Sequence, residues 1–261
     1  MNNNLIFIIR RISSKLFKKF VSYFFVYPKR KHCNICSWKG GLFLNDQWHK
    51  GVICPRCEST VRHRLFKAGI DQSNNKDLYS CLKNKKILHC APDKCLKDFF
   101  RSQSKSYTTG DLLRQDCDIK IDLCSMSNIK NSTFDVLIIF DILEHVGSVS
   151  KALEEIHRVL NKNGYAIFTV PQKDGLEISI EGDATLSPEE RTNRFGQWDH
   201  LRLFGSDFKS ILKNNKFDVI EISEKNFSSE IVKKFALKPL TKSRHPLATN
   251  ERKIFFCKKV F

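Results

Sequence analysis

The sequence contains no long apolar run, and this absence limits how the protein can meet a membrane. None of its hydrophobic stretches approaches the roughly 20 apolar residues that a membrane-spanning helix needs. The apolar run at residues 5–9, LIFII, is too short for a secretory signal core and is followed by Arg10 and Arg11. Without a signal, the ten cysteines indicate a reduced, cytoplasmic protein in which scattered thiols pack as small apolar groups.

Acidic residues are scarce at the front of the chain. Residues 1–70 carry 14 Lys/Arg but 2 Asp/Glu, whereas residues 71–261 carry 31 and 26. The basic character therefore lies at the front, where we expect any polyanionic partner, a nucleic acid or an acidic lipid, to bind. With 41% hydrophobic and 28% charged residues, the chain has the composition of an ordinary globular protein and not of a disordered one.

Residues 5–27 contain no acid at all and follow a helical pattern. Apolar residues recur every three or four positions from Leu5 to Phe24, basic residues share the opposite side, and Pro28 ends the pattern. Three interpretations of this segment, 1–31, are open. The helix lies in the surface of an anionic bilayer, docks on its own protein, or binds a partner protein. The first would place the protein peripherally on the inner membrane.

Four of the cysteines form two pairs, in CNIC from Cys33 to Cys36 and in CPRC from Cys54 to Cys57. Two such turns can surround one zinc ion with four thiolates, and the spacing between the pairs suits a zinc-ribbon-like module. Four protein ligands close the site, which predicts a structural zinc and not a catalytic one. So short a segment buries too little surface to fold alone, so the metal would supply the folding energy. The module and a polar linker cover 32–75.

After the linker, strand patterns alternate with helical stripes, which predicts a doubly wound α/β sheet with crossover helices. The clearest strand is the apolar run over 134–140, which suits a strand buried on both faces of a parallel sheet. The other predicted strands cover 86–90, 106–109, 118–121, 165–170, 217–222 and 253–258, and the helical stripes cover 96–100, 149–160 and 206–215.

Asp141, Glu144 and His145 follow the strand over 134–140. In open α/β sheets, ligands bind outside the carboxyl ends of the strands, so two acids and an imidazole arrive where the fold does its chemistry. Alternatively, the two acids only favour the start of the next helix, near its positive end. A second charged group, RHR at 62–64, either contacts a phosphate or a carboxylate or lies on a solvated helix face.

The motifs stand in a recognisable order. ILHCAPDKC (87–95), GDL (110–112), FDVLIIFDILEHV and RVLNKNGYAIFTVP (158–171) follow one another along the chain. In this order they resemble the first-, second-, fourth- and fifth-strand segments of the class I S-adenosylmethionine-dependent methyltransferases. The resemblance implies a seven-stranded Rossmann-like methyltransferase domain over 76–261. The four cysteines and FGQWDHLRLFG (195–205) are similar to a bacterial subgroup of this family.

The resemblance also implies how the loop after the first strand meets S-adenosylmethionine. His89 takes the place of the family's acidic residue, and Ala91, Asp93 and Cys95 replace its three glycines. Those glycines let the backbone approach the cofactor. His89, Ala91 and Asp93 would then line the cofactor, although Asp93 could instead cap the following helix.

Four further residues are assigned to the cofactor by the resemblance. Asp111 would accept hydrogen bonds from the ribose hydroxyls, because a carboxylate offers two acceptor oxygens in one plane. Asp122 and Leu123 would meet the adenine, one at its amino group and the other on its face. Asp141 would face the methionine end. Turn chemistry is the alternative role for Asp111 and Asp122.

Methyl transfer from a sulfonium is an in-line displacement, so the enzyme mainly has to align the nucleophile with the methyl group. A hydroxyl nucleophile also needs a base with a pKa near the working pH, which histidine provides. His145 and His200 are the candidates, and His145 is equally suited to a structural role. Trp198 and Arg202 would bind the acceptor, Arg202 through an anionic group. Alternatively, the segment 189–205 packs against the zinc module.

The leading functional interpretation is methylation of a hydroxyl on a small molecule or glycan precursor at the cytoplasmic membrane face. An RNA methyltransferase that holds RNA with the zinc module and the basic front is one alternative, but the sequence lacks the alternating aromatic and basic residues of a base-stacking platform. An inactive binding module with the same fold is the other, and the missing loop glycines favour it.

Overall fold

The structure, a computed structural model, describes residues 31–72, 78, 80–183 and 185–260. The predicted amphipathic helix over 5–27 and most of the predicted linker lie outside the described residues. Within the described ranges, none of the helices is both long enough and apolar enough to cross a membrane.

The described chain contains eleven strands and six α-helices. The strands are β1 (Lys31–His32), β2 (Lys39–Gly40), β3 (Lys86–Cys90), β4 (Ser106–Asp111), β5 (Ile119–Lys120), β6 (Phe134–Phe140), β7 (Leu160–Thr169), β8 (Ile180–Glu181), β9 (Arg202–Leu203), β10 (Phe217–Ser223) and β11 (Lys253–Lys259). The helices are α1 (Val61–Gln72), α2 (Lys94–Gln103), α3 (Val149–Val159), α4 (Pro188–Phe195), α5 (Phe208–Asn214) and α6 (Ser229–Phe235).

Seven of the strands form one mixed sheet in the order β10-β11-β7-β6-β3-β4-β5. Neighbouring strands from β7 to β5 pair in parallel, whereas β11 is antiparallel to both of its neighbours. This arrangement confirms the predicted doubly wound, seven-stranded Rossmann-like sheet. The strands β4 and β6 lie on either side of β3 and run parallel to it, so the carboxyl ends of all three meet at one edge of the sheet. We call this edge the carboxyl edge.

Both faces of the sheet are covered, which explains the unbroken apolar sequence of β6. On one face, α3 and α5 bury residues such as Leu153 and Phe208. On the other face, α1, α2 and α6 bury Phe66, Phe100 and Val232. Each fully buried side chain of this size stabilises the fold by about 1.5–3 kcal/mol. The helix α1 follows the cysteine module in the chain, yet it packs on the sheet.

The cysteine module is fastened to the sheet domain by one buried arginine. Arg64 donates hydrogen bonds to the backbone carbonyls of Ser59, Val52, Phe235 and Ala236 at 2.5–3.0 Å. The first two carbonyls belong to the module and the last two to the end of α6. For Arg64, the predicted solvated helix face is therefore wrong, because its side chain is completely buried.

Several predicted boundaries differ from the observed ones, and two of the differences have a local reason. The strand predicted over 118–121 shrinks to two residues, because Asp118 Oδ2 accepts from both the backbone N–H and the hydroxyl of Thr109 at 2.7 Å. The helix predicted over 149–160 ends at Val159, and Leu160 opens β7 opposite Phe134.

Candidate active site

The four cysteines of the module converge as their spacing predicts. Cys33 Sγ lies 3.6 Å from Cys57 Sγ, and Cys36 Sγ lies 3.7 Å from Cys54 Sγ. Sulfurs bound tetrahedrally about 2.3 Å from a zinc ion lie about 3.8 Å apart. The donor set therefore fits one structural zinc, and zinc occupancy stays a prediction.

The loop after β3 keeps the backbone shape that a glycine would give it. Ala91 has a φ of +44°, in the left-handed region that favours glycine. Its N–H donates to Gly110 O at 2.8 Å, which joins the loop to the end of β4. The replacement of a family glycine by Ala91 thus leaves the turn intact, and the loop still fits a cofactor at the carboxyl edge.

Asp111 ends β4 beside exposed apolar surface. Its Oδ1 accepts the backbone N–H groups of Leu113 at 2.8 Å and Arg114 at 3.0 Å. Leu112 and Leu113 are 49% and 80% exposed. A carboxylate next to exposed leucines matches the polar and apolar halves of a nucleoside, so these residues fit S-adenosylmethionine. The hydrogen bonds of Asp111 also show the turn chemistry that was its alternative role.

Asp122 and Leu123 lie farther along the same edge. Asp122 is exposed and its Oδ1 accepts the N–H of Cys124 at 2.8 Å, again a turn contact. Leu123 is 5% exposed and belongs to the core. The structure therefore leaves Asp122 available at the edge but gives little of Leu123 to an adenine ring.

His89 lies inside the protein and not on the cofactor loop's surface. It is completely buried, its Nδ1 is 2.9 Å from the Tyr107 hydroxyl, and its ring packs edge-on to Phe100. Burial lowers the pKa of His89 to about 3, so the ring is neutral. The predicted cofactor contact of His89 is therefore wrong, because the side chain is enclosed by the core.

Arg62 joins two loops across the carboxyl edge. Its guanidinium lies 3.2 Å from Asp93 Oδ1 and 3.1 Å from Asp141 Oδ2, and Arg252 donates to the same oxygen of Asp141 at 3.1 Å. His63 Nε2 lies 3.0 Å from Asp93 Oδ1. Arg62 and His63 therefore do not lie on a solvated helix face, because both side chains contact carboxylates of this chain. Asp93 makes no side-chain cap bond to α2, so its predicted capping role is wrong too.

Asp141 turns the chain sharply after β6. Its φ is +49°, and its Oδ1 accepts from the Thr169 hydroxyl at 2.7 Å. Burial raises its pKa, but the charges of Arg62 and Arg252 outweigh this effect and hold the pKa below the usual range. The next helix starts only at Val149. The alternative that Asp141 serves that helix start is therefore wrong.

Glu144, His145 and His200 come together just beyond this turn. The two imidazole rings meet edge to face with centroids 4.8 Å apart. His145 Nδ1 lies 3.2 Å from Asp199 Oδ2, and His200 Nδ1 lies 3.0 Å from the carbonyl oxygen of Phe195. The structure thus brings both predicted base candidates to one point.

Glu144 is a buried carboxyl group in this cluster. It is 1% exposed, and its Oε2 has no hydrogen-bond partner among the described residues. Burial and the nearby charge of Asp141 raise its pKa well above the usual range. Burial and then the charge of His145 lower the pKa of His200, so His200 is neutral near pH 7 and can accept a proton.

Arg202 holds the turn that carries Glu144 and His145. Its Nη1 donates to the carbonyls of Leu143 at 2.7 Å and Val146 at 2.6 Å, and its Nε donates to Glu181 at 2.9 Å. The predicted contact of Arg202 with an anionic acceptor is wrong, because the side chain is 2% exposed and bonded to this chain's own oxygens.

A cleft of about 540 Å³ opens over this cluster. Its walls are the module loop 46–49, the segment 195–203 and the strand-entry segment 247–252. Gly196 approaches Trp48 so closely that an added Cβ would lie 3.0 Å from the Trp48 ring. The segment therefore does contact the zinc module, as its alternative role predicts. Trp198 is 62% exposed, and its contact with the acceptor stays a prediction.

Three residues of this site have no catalytic or binding role predicted from the sequence: Glu144, Asp199 and Arg252. Glu144 was assigned no catalytic or binding role, although its place beside His145 at a strand end signals one. Asp199 precedes His200 and could have been found as its neighbour. Arg252 carries no sequence signal, because only the antiparallel return of β11 brings it to Asp141.

Comparison with known proteins finds one family and several distantly similar solved structures. Residues 92–168 match the methyltransferase domain family, and no curated protein matches the chain. A solved S-adenosylmethionine-dependent methyltransferase from Archaeoglobus fulgidus is 11% identical and aligns over 78% of this chain and 96% of its own, with a TM-score of 0.47. One from Mesorhizobium loti is 10% identical over 71% and 99%, with a TM-score of 0.46.

A third solved structure, the 1,6-didemethyltoxoflavin-N1-methyltransferase of Burkholderia thailandensis, holds S-adenosylhomocysteine. It is 14% identical over 69% of this chain and 72% of its own, with a TM-score of 0.43. These distant likenesses carry no argument about the acceptor. The matched residues span α2 to β7 of the seven-stranded sheet, so the chain contains a methyltransferase domain of the S-adenosylmethionine-dependent kind.

Proposed function

We propose that the enzyme methylates a hydroxyl oxygen of a small-molecule or glycan-precursor acceptor at the cytoplasmic membrane face. The observation that carries this proposal is the cleft of about 540 Å³ over Glu144, His145 and His200. Its volume falls within the range of small-ligand sites, about 300–1,000 Å³. The module loop 46–49 forms one wall, which favours a compact acceptor or the end of a chain over a long duplex.

The chemistry of the cleft suits a hydroxyl better than a more reactive nucleophile. S-adenosylmethionine supplies a methyl group on a positively charged sulfur. A hydroxyl must lose its proton as it attacks, and the neutral His200 can accept that proton. Asp199 orients His145, whose ring packs against His200, so the two rings keep a fixed geometry.

Methyl labelling of acceptor pools tests the proposal. The protein is incubated with S-adenosylmethionine tritiated in the methyl group and with three pools: a metabolite extract, a glycan-precursor lipid extract and total RNA. We expect label in the metabolite or glycan pool that survives mild alkali, because a methyl ether resists the hydrolysis that removes a methyl ester. Label found only in RNA, or lost in alkali, would contradict the proposal. A His157→Ala variant is the control, since His157 bonds to Val260 O outside the cleft.

The membrane part of the proposal rests on the sequence pattern of residues 5–27. Deletion of residues 1–28 should move the protein from the pellet to the supernatant of anionic liposomes. Salt should weaken the pelleting of the full chain, because the attraction is partly electrostatic. If the full and shortened chains pellet equally, the membrane interpretation is contradicted. The helix would then dock on its own protein or bind a partner protein.

A further inference from the structure

Glu144, His145 and His200 offer three ligand atoms of the kinds that bind divalent transition metals. One ligand atom from each lies within 4.8 Å of the others. Nitrogen and oxygen ligands bind such ions at about 2.0–2.2 Å. Each atom would have to move by less than about 1 Å to reach a shared ion, which a small side-chain rotation allows.

Both histidines are held as metal-binding histidines usually are. In such sites, the ring nitrogen that does not bind metal donates to a carboxylate or a backbone carbonyl, which fixes the tautomer and the ring orientation. Here Nδ1 of His145 faces Asp199 Oδ2 at 3.2 Å, and Nδ1 of His200 faces Phe195 O at 3.0 Å. One partner is a carboxylate and the other a carbonyl, and Nε2 is left as the ligand on each ring.

Glu144 is buried with one carboxyl oxygen unpaired among the described residues. Its Oε2 is enclosed and makes no hydrogen bond within the described part of the chain. A buried carboxyl group stays protonated unless it is paired with a cation or coordinates a metal. A cation shared with the two imidazoles would supply the missing partner.

The backbone around the cluster is also fixed. Leu201 N donates to Glu144 O at 2.8 Å. Arg202 donates to the carbonyls on either side of the Glu144–His145 pair, those of Leu143 and Val146. The segment that carries His200 is thus fastened to the turn that carries the other two residues, as a preorganised site requires.

We propose that Glu144, His145 and His200 bind one divalent transition-metal ion whose open coordination positions face the cleft and take the acceptor's hydroxyl oxygen. Two histidines and one carboxylate leave positions open, unlike the four cysteines. This inference rests on the proposed hydroxyl methylation for the role of the ion, but the binding of the ion can be measured by itself.

The ion would act on the acceptor as a Lewis acid. Coordination lowers the pKa of the hydroxyl, and its proton passes to solvent water in the cleft, because His200 is then a ligand of the ion and no longer the proton acceptor. The oxygen forms a bond to the methyl carbon while the carbon–sulfur bond breaks, and the sulfur keeps the electron pair as a neutral thioether. No electron is transferred to or from the ion. An acceptor with two neighbouring oxygens, such as a sugar diol, could fill two open positions.

Binding of Mn²⁺ alone tests the site. Mn²⁺ prefers oxygen and imidazole ligands over thiolates, so it leaves zinc-loaded cysteines undisturbed. Electron paramagnetic resonance of the zinc-loaded full chain, which counts the free ion, should show one saturable Mn²⁺ site. Glu144→Gln, His145→Ala and His200→Ala should each weaken it at least tenfold, and Asp199→Asn should weaken it about 10–100-fold.

His157→Ala is the matched control and should bind Mn²⁺ as the wild type does. Circular dichroism and thermal unfolding show whether each variant is folded. If a ligand variant does not fold, the milder Asp199→Asn still tests the site. The inference is overturned if the wild type shows no saturable site for Mn²⁺ or for a second equivalent of Co²⁺. It is also overturned if folded ligand variants bind as tightly as the wild type.

Activity separates this inference from the proposed function. If Mn²⁺ binds at these residues but label never enters a hydroxyl, the proposed function fails and the metal site stands. If hydroxyl methylation proceeds at the wild-type rate after EDTA treatment that leaves only the cysteine-bound zinc, the proposed function stands and the role of the ion is overturned.

Discussion

Within the described residues there are two clusters of metal-binding residue types, and they are assembled in different ways. The cysteine cluster is made by two tight turns close together in sequence, and its four donors leave no position open. The cluster of Glu144, His145 and His200 joins the end of β6 to a distant segment, and it opens into a cleft. The first closes on itself and fastens a module, whereas the second faces the place where an acceptor would lie.

The difference indicates which property each cluster serves. The module contributes few apolar side chains of its own, mainly Trp38 and Phe43, so its folding depends on what ties its turns together. The second cluster stands on a sheet whose two faces are already filled. Loss of the first should therefore affect stability, and loss of the second should affect turnover.

The largest expected effect follows from Cys54→Ser. Zinc content should fall from one equivalent per chain towards none, and the free energy of unfolding should fall by more than about 4 kcal/mol, because loss of a structural metal removes folding energy directly. Metal analysis and urea unfolding measure the two quantities. Cys124→Ser is the control, since the Cys124 thiol donates to Ser148 O, outside the cluster. Full zinc content and an unchanged free energy of unfolding in Cys54→Ser would contradict a stabilising role for the cysteine cluster.

His200→Ala should lower turnover and leave the affinity for the cofactor unchanged. We expect the rate of the chemical step to fall roughly 10²–10⁴-fold, because His200 either accepts the hydroxyl proton or binds the ion that activates the hydroxyl. Single-turnover kinetics measure the step, and calorimetry with S-adenosylhomocysteine should show unchanged cofactor affinity. Normal turnover in His200→Ala together with loss of turnover in His145→Ala would show that the base lies in the turn after β6. The segment 195–203 would then have a structural role.

A smaller effect is expected at the cofactor end of the edge. Asp111→Ala should weaken S-adenosylmethionine binding by about 1–3 kcal/mol, from the loss of hydrogen bonds to a charged group. Asp116→Ala is the control, because Asp116 is exposed and pairs with Arg114. Calorimetry that gives Asp111→Ala the wild-type affinity would mean that the ribose does not meet the end of β4.

The sheet could be predicted from the sequence because its strands carry strong local patterns. Apolar runs bounded by turn residues placed β3 and β6 at their observed limits. The pattern failed where side chains of other elements decide the outcome, as at Asp118, which bonds to Thr109 and shortens β5. The short helices α4 and α6 escaped prediction, since eight and seven residues give a helical period little room to repeat.

The parts of the site that could be predicted are those whose residues lie close together in the sequence. The cysteine spacing and the Glu144–His145 pair lie within short stretches, so their sequence alone brings them together. The approach of His200 depends on the hydrogen bonds of Leu201 and Arg202 to the turn after β6. The prediction that Arg202 binds the acceptor failed because the sequence does not show that its side chain is buried.

A crystal structure with S-adenosylhomocysteine and Mn²⁺, with anomalous data at the manganese and zinc edges, tests the central claim most directly. The account predicts a zinc peak among the four cysteine sulfurs and a manganese peak about 2.1 Å from ligand atoms of Glu144, His145 and His200. The cofactor sulfur should face the same cleft. A cofactor bound away from the carboxyl edge, or no manganese peak at these three residues, would contradict the account.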